Sequence, residues 1–184
     1  LLGGIVEADD EPTGVHSLGV VRLSLAVAVE LGIGKSELSE LEYAALLHDV
    51  GKIKIPKEIL HKAGPLSEAE WTVMRTHSEL GAAMLESVGG MLAGIAPVVR
   101  HHHERWDGDG YPDGLKADAI PLFSRIIACC DTFSAMTADR PYSAARSVAD
   151  AVAEVERVAG SQLDPQVVAA LIRVAAASRL ARAA

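Results

Sequence analysis

Apolar residues recur at helical spacing along almost the whole chain, and turn residues interrupt them at short intervals. This pattern constrains the fold more than any other feature. A period near 3.6 puts an apolar stripe on each segment, and the stripes must be buried against one another. A first helix is predicted from about Thr13 to Leu31, ended by Gly32 and Gly34. Ser36 is placed as the cap of a second, which runs to near Asp49 and is broken by Gly51. Ile53-Lys54-Ile55-Pro56 reads as a short extended link. Ser67 with Glu70 makes a capping-box pattern that opens a long helix to about Val88. Gly89-Gly90 is a turn, a further helix covers about Met91 to His103, and Glu104 to Ala119 is a loop rich in Gly, Asp and Pro. Pro121 begins a helix to about Ala138. Two more follow near Ser147–Ala159 and Pro165–Arg182, the last with Asp164 as cap and Pro165 in its first turn. The expected fold is all-α: a single-domain helical bundle of about seven helices spanning residues 1–184.

Composition supports that reading. Hydrophobic residues make up 49% of the 184 and aromatics only 4%, a balance that suits packed helices. The net charge of −8 argues against a nucleic-acid polymer or an anionic membrane as partner. It leaves room for a small anion held by a local cation. Cys129 and Cys130 are neighbours in an apolar run, which points to free thiols and a reducing, cytoplasmic setting. No apolar run is long enough to span a bilayer, and no signal peptide is expected. The chain begins Leu1-Leu2-Gly3-Gly4 without Met, so it is expected to be a fragment of a longer multidomain protein with any sensor or membrane segment upstream.

The polar residues fall on these stripes in an unusual way. His16 shares a face with Val20, Leu23 and Val27, and His48 shares one with Leu41 and Ala45. His77 sits between Met74 and Gly81, and Asp131 follows Phe123 and Ile127. One inward His or Asp is ordinarily a hydrogen-bonded core residue. Four helices each turning one inward, with no matching buried cations, call for a metal, because a buried carboxylate is costly unless it is paired or coordinated. Mixed imidazole and carboxylate donors suit Fe, Mn or Zn better than Ca or Mg. Successive helical residues point about 100° apart. His48 and Asp49 are therefore expected to serve different sides of a two-metal site, with Asp49 bridging. His102 and His103, near a helix end, close the second metal, and the loop after them is placed to hold substrate. His101 and His61 read as spectators.

Two motifs carry a family resemblance. His48-Asp49-Val50-Gly51-Lys52 resembles the signature of the HD superfamily of metal-dependent phosphohydrolases. His102-His103-Glu104-Arg105-Trp106-Asp107-Gly108-Asp109-Gly110-Tyr111-Pro112 is similar to the extended signature of the HD-GYP subfamily. The likeness runs over nearly the whole chain, from Thr13-Gly14-Val15-His16-Ser17 to Leu163-Asp164-Pro165. The dipeptide alone is weakly specific, whereas the second tract at this distance from it is strongly so.

The resemblance implies hydrolysis of cyclic di-GMP to linear pGpG and onward to GMP, in bacterial second-messenger signalling. It implies a ligand set of His16, His48, Asp49, His77, His102, His103 and Asp131 around two divalent ions, Fe or Mn first and Zn next. Lys52 and Asp49 are the expected catalytic residues. Lys52, Tyr111, Arg140 and Trp106 are the expected substrate contacts, with Trp106 read equally as a hydrophobic anchor for its loop. A homodimer, an upstream sensor and diguanylate cyclase (GGDEF) partners go with signalling modules of this kind. Three positions depart from the family pattern. Ser134 stands where a second Asp is usual, Ser143 where a basic residue often follows Arg-Pro-Tyr, and Pro12 where some members carry a Glu for a third metal. These departures favour two metals and reduced turnover. Two other readings stay open: a nucleotide receptor that signals by binding, and a hydrolase of another cyclic dinucleotide.

Overall fold

The computed structural model describes residues 11–138 and 145–183, with side chains given for 17–138 and 145–177. Arg140 and Ser143 lie outside the described residues, as does the side chain of His16 on the first helix.

The architecture is all-α, and among the described residues there is no β-strand beyond one isolated bridge between Ala159 and Leu163. The helices are α1 (Glu11–Glu30), α2 (Lys35–Leu47), α3 (Lys57–Leu60), α4 (Glu68–Arg75), α5 (His77–Val88), α6 (Gly90–Arg100), α7 (Leu122–Thr137), α8 (Val148–Arg157) and α9 (Pro165–Ala183). Short 3-10 turns cover Val50–Lys54 and Ala117–Ala119. The core is aliphatic. Val20 and Val27 of α1, Leu41 of α2, Ile95 and Val99 of α6, Ile126 and Ile127 of α7 and Leu171 of α9 are buried together. α1 packs on α2 and α7, and α5 doubles back on α6. Cys129 and Cys130 are buried free thiols on α7. No described helix is long and apolar enough to cross a membrane.

Several expectations hold at the level of single bonds. Ser67 and Glu70 form the capping box at the start of α4. Asp164 Oδ1 accepts the Gln166 N–H at the start of α9. Others are corrected. The cap of α2 is Gly34, in extended backbone, so Ser36 lies inside the helix. The helix expected from Ser67 to Val88 is two helices that meet at Thr76. There Thr76 Oγ1 donates to Val73 O and His77 Nδ1 to Met74 O, so side chains take carbonyls an unbroken helix would use. The link after Asp49 is a 3-10 turn, with only Ile55 extended, and α3 follows it. The helix before the loop ends at Arg100, and His101 to His103 form a turn.

Candidate metal centre

Three imidazoles are held in the same way. His48 Nδ1 lies 2.7 Å from Ala45 O, His77 Nδ1 2.7 Å from Met74 O, and His102 Nδ1 2.6 Å from Val99 O. In each case the carbonyl is three residues earlier, at the end of a helix. A carbonyl only accepts, so Nδ1 must carry the proton, and in the neutral ring Nε2 is left with its lone pair. Metal-binding imidazoles are commonly oriented by such a bond. All three rings are at most 2% exposed.

The free nitrogens converge. His77 Nε2 is 3.3 Å from His102 Nε2 and 3.1 Å from His103 Nε2. The Asp49 carboxylate closes the group. Its Oδ1 is 3.4 Å from His77 Nε2 and 3.9 Å from His102 Nε2, while its Oδ2 is 3.3 Å from His48 Nε2 and 2.6 Å from Lys52 Nζ. Asp49, His77, His102 and His103 each offer a donor atom within 4.8 Å of the others. His77 and His102, both with the proton fixed on Nδ1, face each other lone pair to lone pair and cannot hydrogen-bond. A shared cation satisfies both. His48 Nε2 is buried 3.3 Å from Asp49 Oδ2 and has no hydrogen-bond partner. The donor set therefore fits a metal.

Charge tells the same story. Burial lowers the His48 pKa, but the Asp49 carboxylate, with help from Asp131, outweighs it and pushes the ring up to about 9. Burial would raise the Asp49 carboxyl, but Lys52 and His48 hold it well below the usual carboxylate range. Burial lowers His77, His102 and His103, the last to about 3, so these rings stay neutral and able to ligate near neutral pH.

Local structure explains the convergence. α2 ends at Leu47, and Asp49 leaves the helix at φ −97° and ψ 7°. His48 Nε2 meets Asp49 Oδ2, while Asp49 Oδ1 faces His77 and His102, so the two oxygens of Asp49 serve different partners. Gly51 lets the following turn press onto α5: a Cβ there would sit 1.9 Å from His77 O and 2.6 Å from Gly81 N. Asp131, half-buried on α7, joins His102 and His103 in lining a cavity of about 60 Å³.

The loop after His103 folds back over the cluster. Tyr111 stacks on His103 with ring centroids 4.9 Å apart and an interplanar angle of 28°. The exposed Arg75 guanidinium lies 5.5 Å from the Tyr111 centroid. Burial pushes the Tyr111 phenol up, so it keeps its proton. The Trp106 backbone N–H donates to Gln162 O at 3.1 Å, and the Arg125 guanidinium lies over its ring, 5.6 Å from the centroid. His61 is exposed. Sequence reasoning missed Arg75 and Glu104. The buried carboxylate of Glu104 accepts the N–H groups of Asp113 at 2.8 Å and Leu115 at 3.1 Å. An acid between two histidines and a Gly-rich loop was the available signal.

The HD domain family matches residues 5–167. A cyclic di-GMP phosphodiesterase from Thermotoga maritima is 37% identical over 175 residues, covering 95% of this chain and 48% of that protein. The 3'3'-cGAMP-specific phosphodiesterase 1 of Vibrio cholerae is 38% identical over 174 residues, covering 94% and 40%. Among solved structures, that of a V. cholerae cyclic GMP-AMP specific phosphodiesterase shares the fold, with a TM-score of 0.67 at 20% identity over 86% of this chain and 43% of the other. The chain spans about half or less of the length of these relatives.

Proposed function

This chain belongs to the HD domain family, in its HD-GYP branch, and on that premise we propose that it hydrolyses cyclic di-GMP to pGpG and onward to GMP. The observation that carries the reading is the convergence of the His77, His102 and His103 Nε2 atoms on Asp49, whose other oxygen meets His48 and Lys52.

Family membership implies divalent metal binding. We assign two ions, Fe or Mn before Zn. His16, His48 and Asp131 would hold one, His77, His102 and His103 the other, and Asp49 would bridge. Bound there, divalent ions supply Lewis acidity, lowering the pKa of water and neutralising phosphoryl oxygens. In the reaction, water adds to phosphorus, the P–O3' bond breaks, and the 3' oxygen leaves with a proton. The chain's own residues do the rest. Lys52, fixed on Asp49 and one-third exposed, puts positive charge where the phosphoryl oxygens gain negative charge. Tyr111 presents a protonated phenol to the nucleotide, and Arg75, 5.5 Å from its ring centroid, adds positive charge beside it. Arg140 and Trp106 are kept as further substrate contacts. Ser134, a hydroxyl one turn beyond Asp131, handles protons less well than a carboxylate.

A second reading has its own support. The Vibrio relative is named for 3'3'-cGAMP at 38% identity, beside 37% for the cyclic di-GMP relative, so the second base is open. Ser134 favours a slow enzyme or a receptor that binds without cleaving. The chain fits an output domain of a longer cytoplasmic signalling protein, with an upstream sensor, GGDEF partners and a homodimeric state as companions to this proposal. His48→Ala and Asp49→Ala should each lose metal. Full retention of metal in both would remove the basis of the proposal.

A further inference from the structure

Outside the metal centre lies a second group of ligand-type side chains, His101, Glu104 and Asp113, with donor atoms within 4.8 Å of one another. It resembles an ion site in composition, but its atoms are already committed. Glu104 Oε1 and Oε2 accept the backbone N–H groups of Asp113 and Leu115. Asp113 Oδ1 accepts from Arg100 Nη2 at 2.7 Å and Oδ2 from Arg100 Nε at 2.8 Å, with His101 Nε2 also 2.8 Å from Oδ2. His101 Nδ1 donates to Pro97 O at 2.7 Å. Arg100 also reaches Glu79 Oε1 at 3.1 Å, which ties the group to α5.

These bonds hold the loop at one point from two sides. Asp113 is gripped through its backbone by a buried carboxylate and through its side chain by a forked guanidinium and an imidazole. A single exposed ion pair contributes little, whereas a bidentate Arg–carboxylate pair backed by further hydrogen bonds fixes geometry as well. Two residues before Asp113 is Tyr111. Its N–H donates to His103 O at 3.3 Å and its ring stacks on His103. Gly110 lets the chain cross its own start: a Cβ there would lie 2.3 Å from Arg105 N and 2.6 Å from Glu104 Cα.

We propose that Arg100, His101 and Asp113 form a lock that positions Tyr111 against the imidazole cluster, so that Asp113 acts on substrate through Tyr111. The inference rests on the reading that the Tyr111 wall meets a cyclic dinucleotide. His101 is then a positioning residue and no spectator.

The test is a double-mutant cycle with cyclic di-GMP on the metal-loaded protein. Asp113→Asn should raise KM about fivefold, change kcat less than about twofold and leave metal content intact. In a Tyr111→Ala background the same substitution should add nothing, a saturation that general loosening would not produce. Hydrogen exchange on the protein alone should show faster exchange at the Tyr111 and Leu115 amides in Asp113→Asn. An unchanged KM, or effects of the two substitutions that simply multiply, would overturn the lock. If the unaltered protein neither binds nor cleaves the nucleotide, the functional reading fails. The lock is then judged on exchange, where unchanged protection at Tyr111 overturns it.

Discussion

Gly51 touches the metal centre through backbone alone, which makes Gly51→Ala a sharp perturbation. The added methyl would stand 1.9 Å from His77 O and 2.6 Å from Gly81 N, so the nearest atoms are backbone of the start of α5. Restoring an ordinary 3.4 Å contact opens the junction by about 1.5 Å. No flexible side chain is there to yield. Overpacking costs typically 1–3 kcal/mol, and a wedge against backbone belongs at the top of that range, about 3 kcal/mol. For a domain of this size that lowers Tm by roughly 6–12 °C. The same opening draws Asp49 away from His77, now 3.4 Å apart, and metal content should fall with it. Gly94→Ala is the matched control. A Cβ there meets nothing within 4 Å, and its place within α6 favours Ala by up to ~1 kcal/mol. Thermal unfolding and elemental analysis of both variants decide the matter. A Gly51→Ala protein with unchanged Tm and full metal would refute the argument that this contact seats Asp49.

Other predictions follow from single contacts. Lys62 and the Ser67 N–H hold the Glu70 carboxyl down at about 2 from an ordinary 4.5, so its contribution is full above pH 4.5 and is lost as pH falls toward 2. The stability gap between the unaltered protein and Glu70→Gln should therefore be constant above that window and close within it, and a gap independent of pH would reject the link. Asp164, 3% exposed, is paired with Arg125 at 2.8 Å. Arg125→Met strands a buried carboxylate at a cost of about 3–5 kcal/mol, read as a Tm drop of roughly 10 °C. A drop of only about 1 °C would show the pair to be dispensable. Ser134→Asp should raise turnover of cyclic di-GMP with metal content unchanged, and an unchanged rate would remove Ser134 from the account.

Features governed by near neighbours were legible. The Ser67–Glu70 box and the Asp164 cap each depend on residues two or three apart, and both are present. The burial of His48 and His77 could be read from their stripes, since burial follows helical period. What could not be read was competition for backbone carbonyls. The break at Thr76 depends on Thr76 and His77 taking the Val73 and Met74 carbonyls, inside an otherwise continuous helical pattern. The facing of Asp49 depends on a 3-10 turn that periodicity does not encode. The purpose of Glu104 and His101 appears only once Asp113 and Leu115 return to them across the loop. Gly51 read as a breaker of α2, and its closeness to His77 is a fact of tertiary packing.

The most direct test joins metal content and turnover on one sample. The protein would be purified without chelator, its Fe, Mn and Zn quantified, and cyclic di-GMP added with reductant while products are separated by chromatography. The account predicts about two metals per chain, as a bridging carboxylate between two donor sets requires, and the appearance of pGpG followed by GMP. Two metals with bound but intact nucleotide would contradict the enzyme and indicate a receptor. No metal under any loading condition would contradict the centre itself.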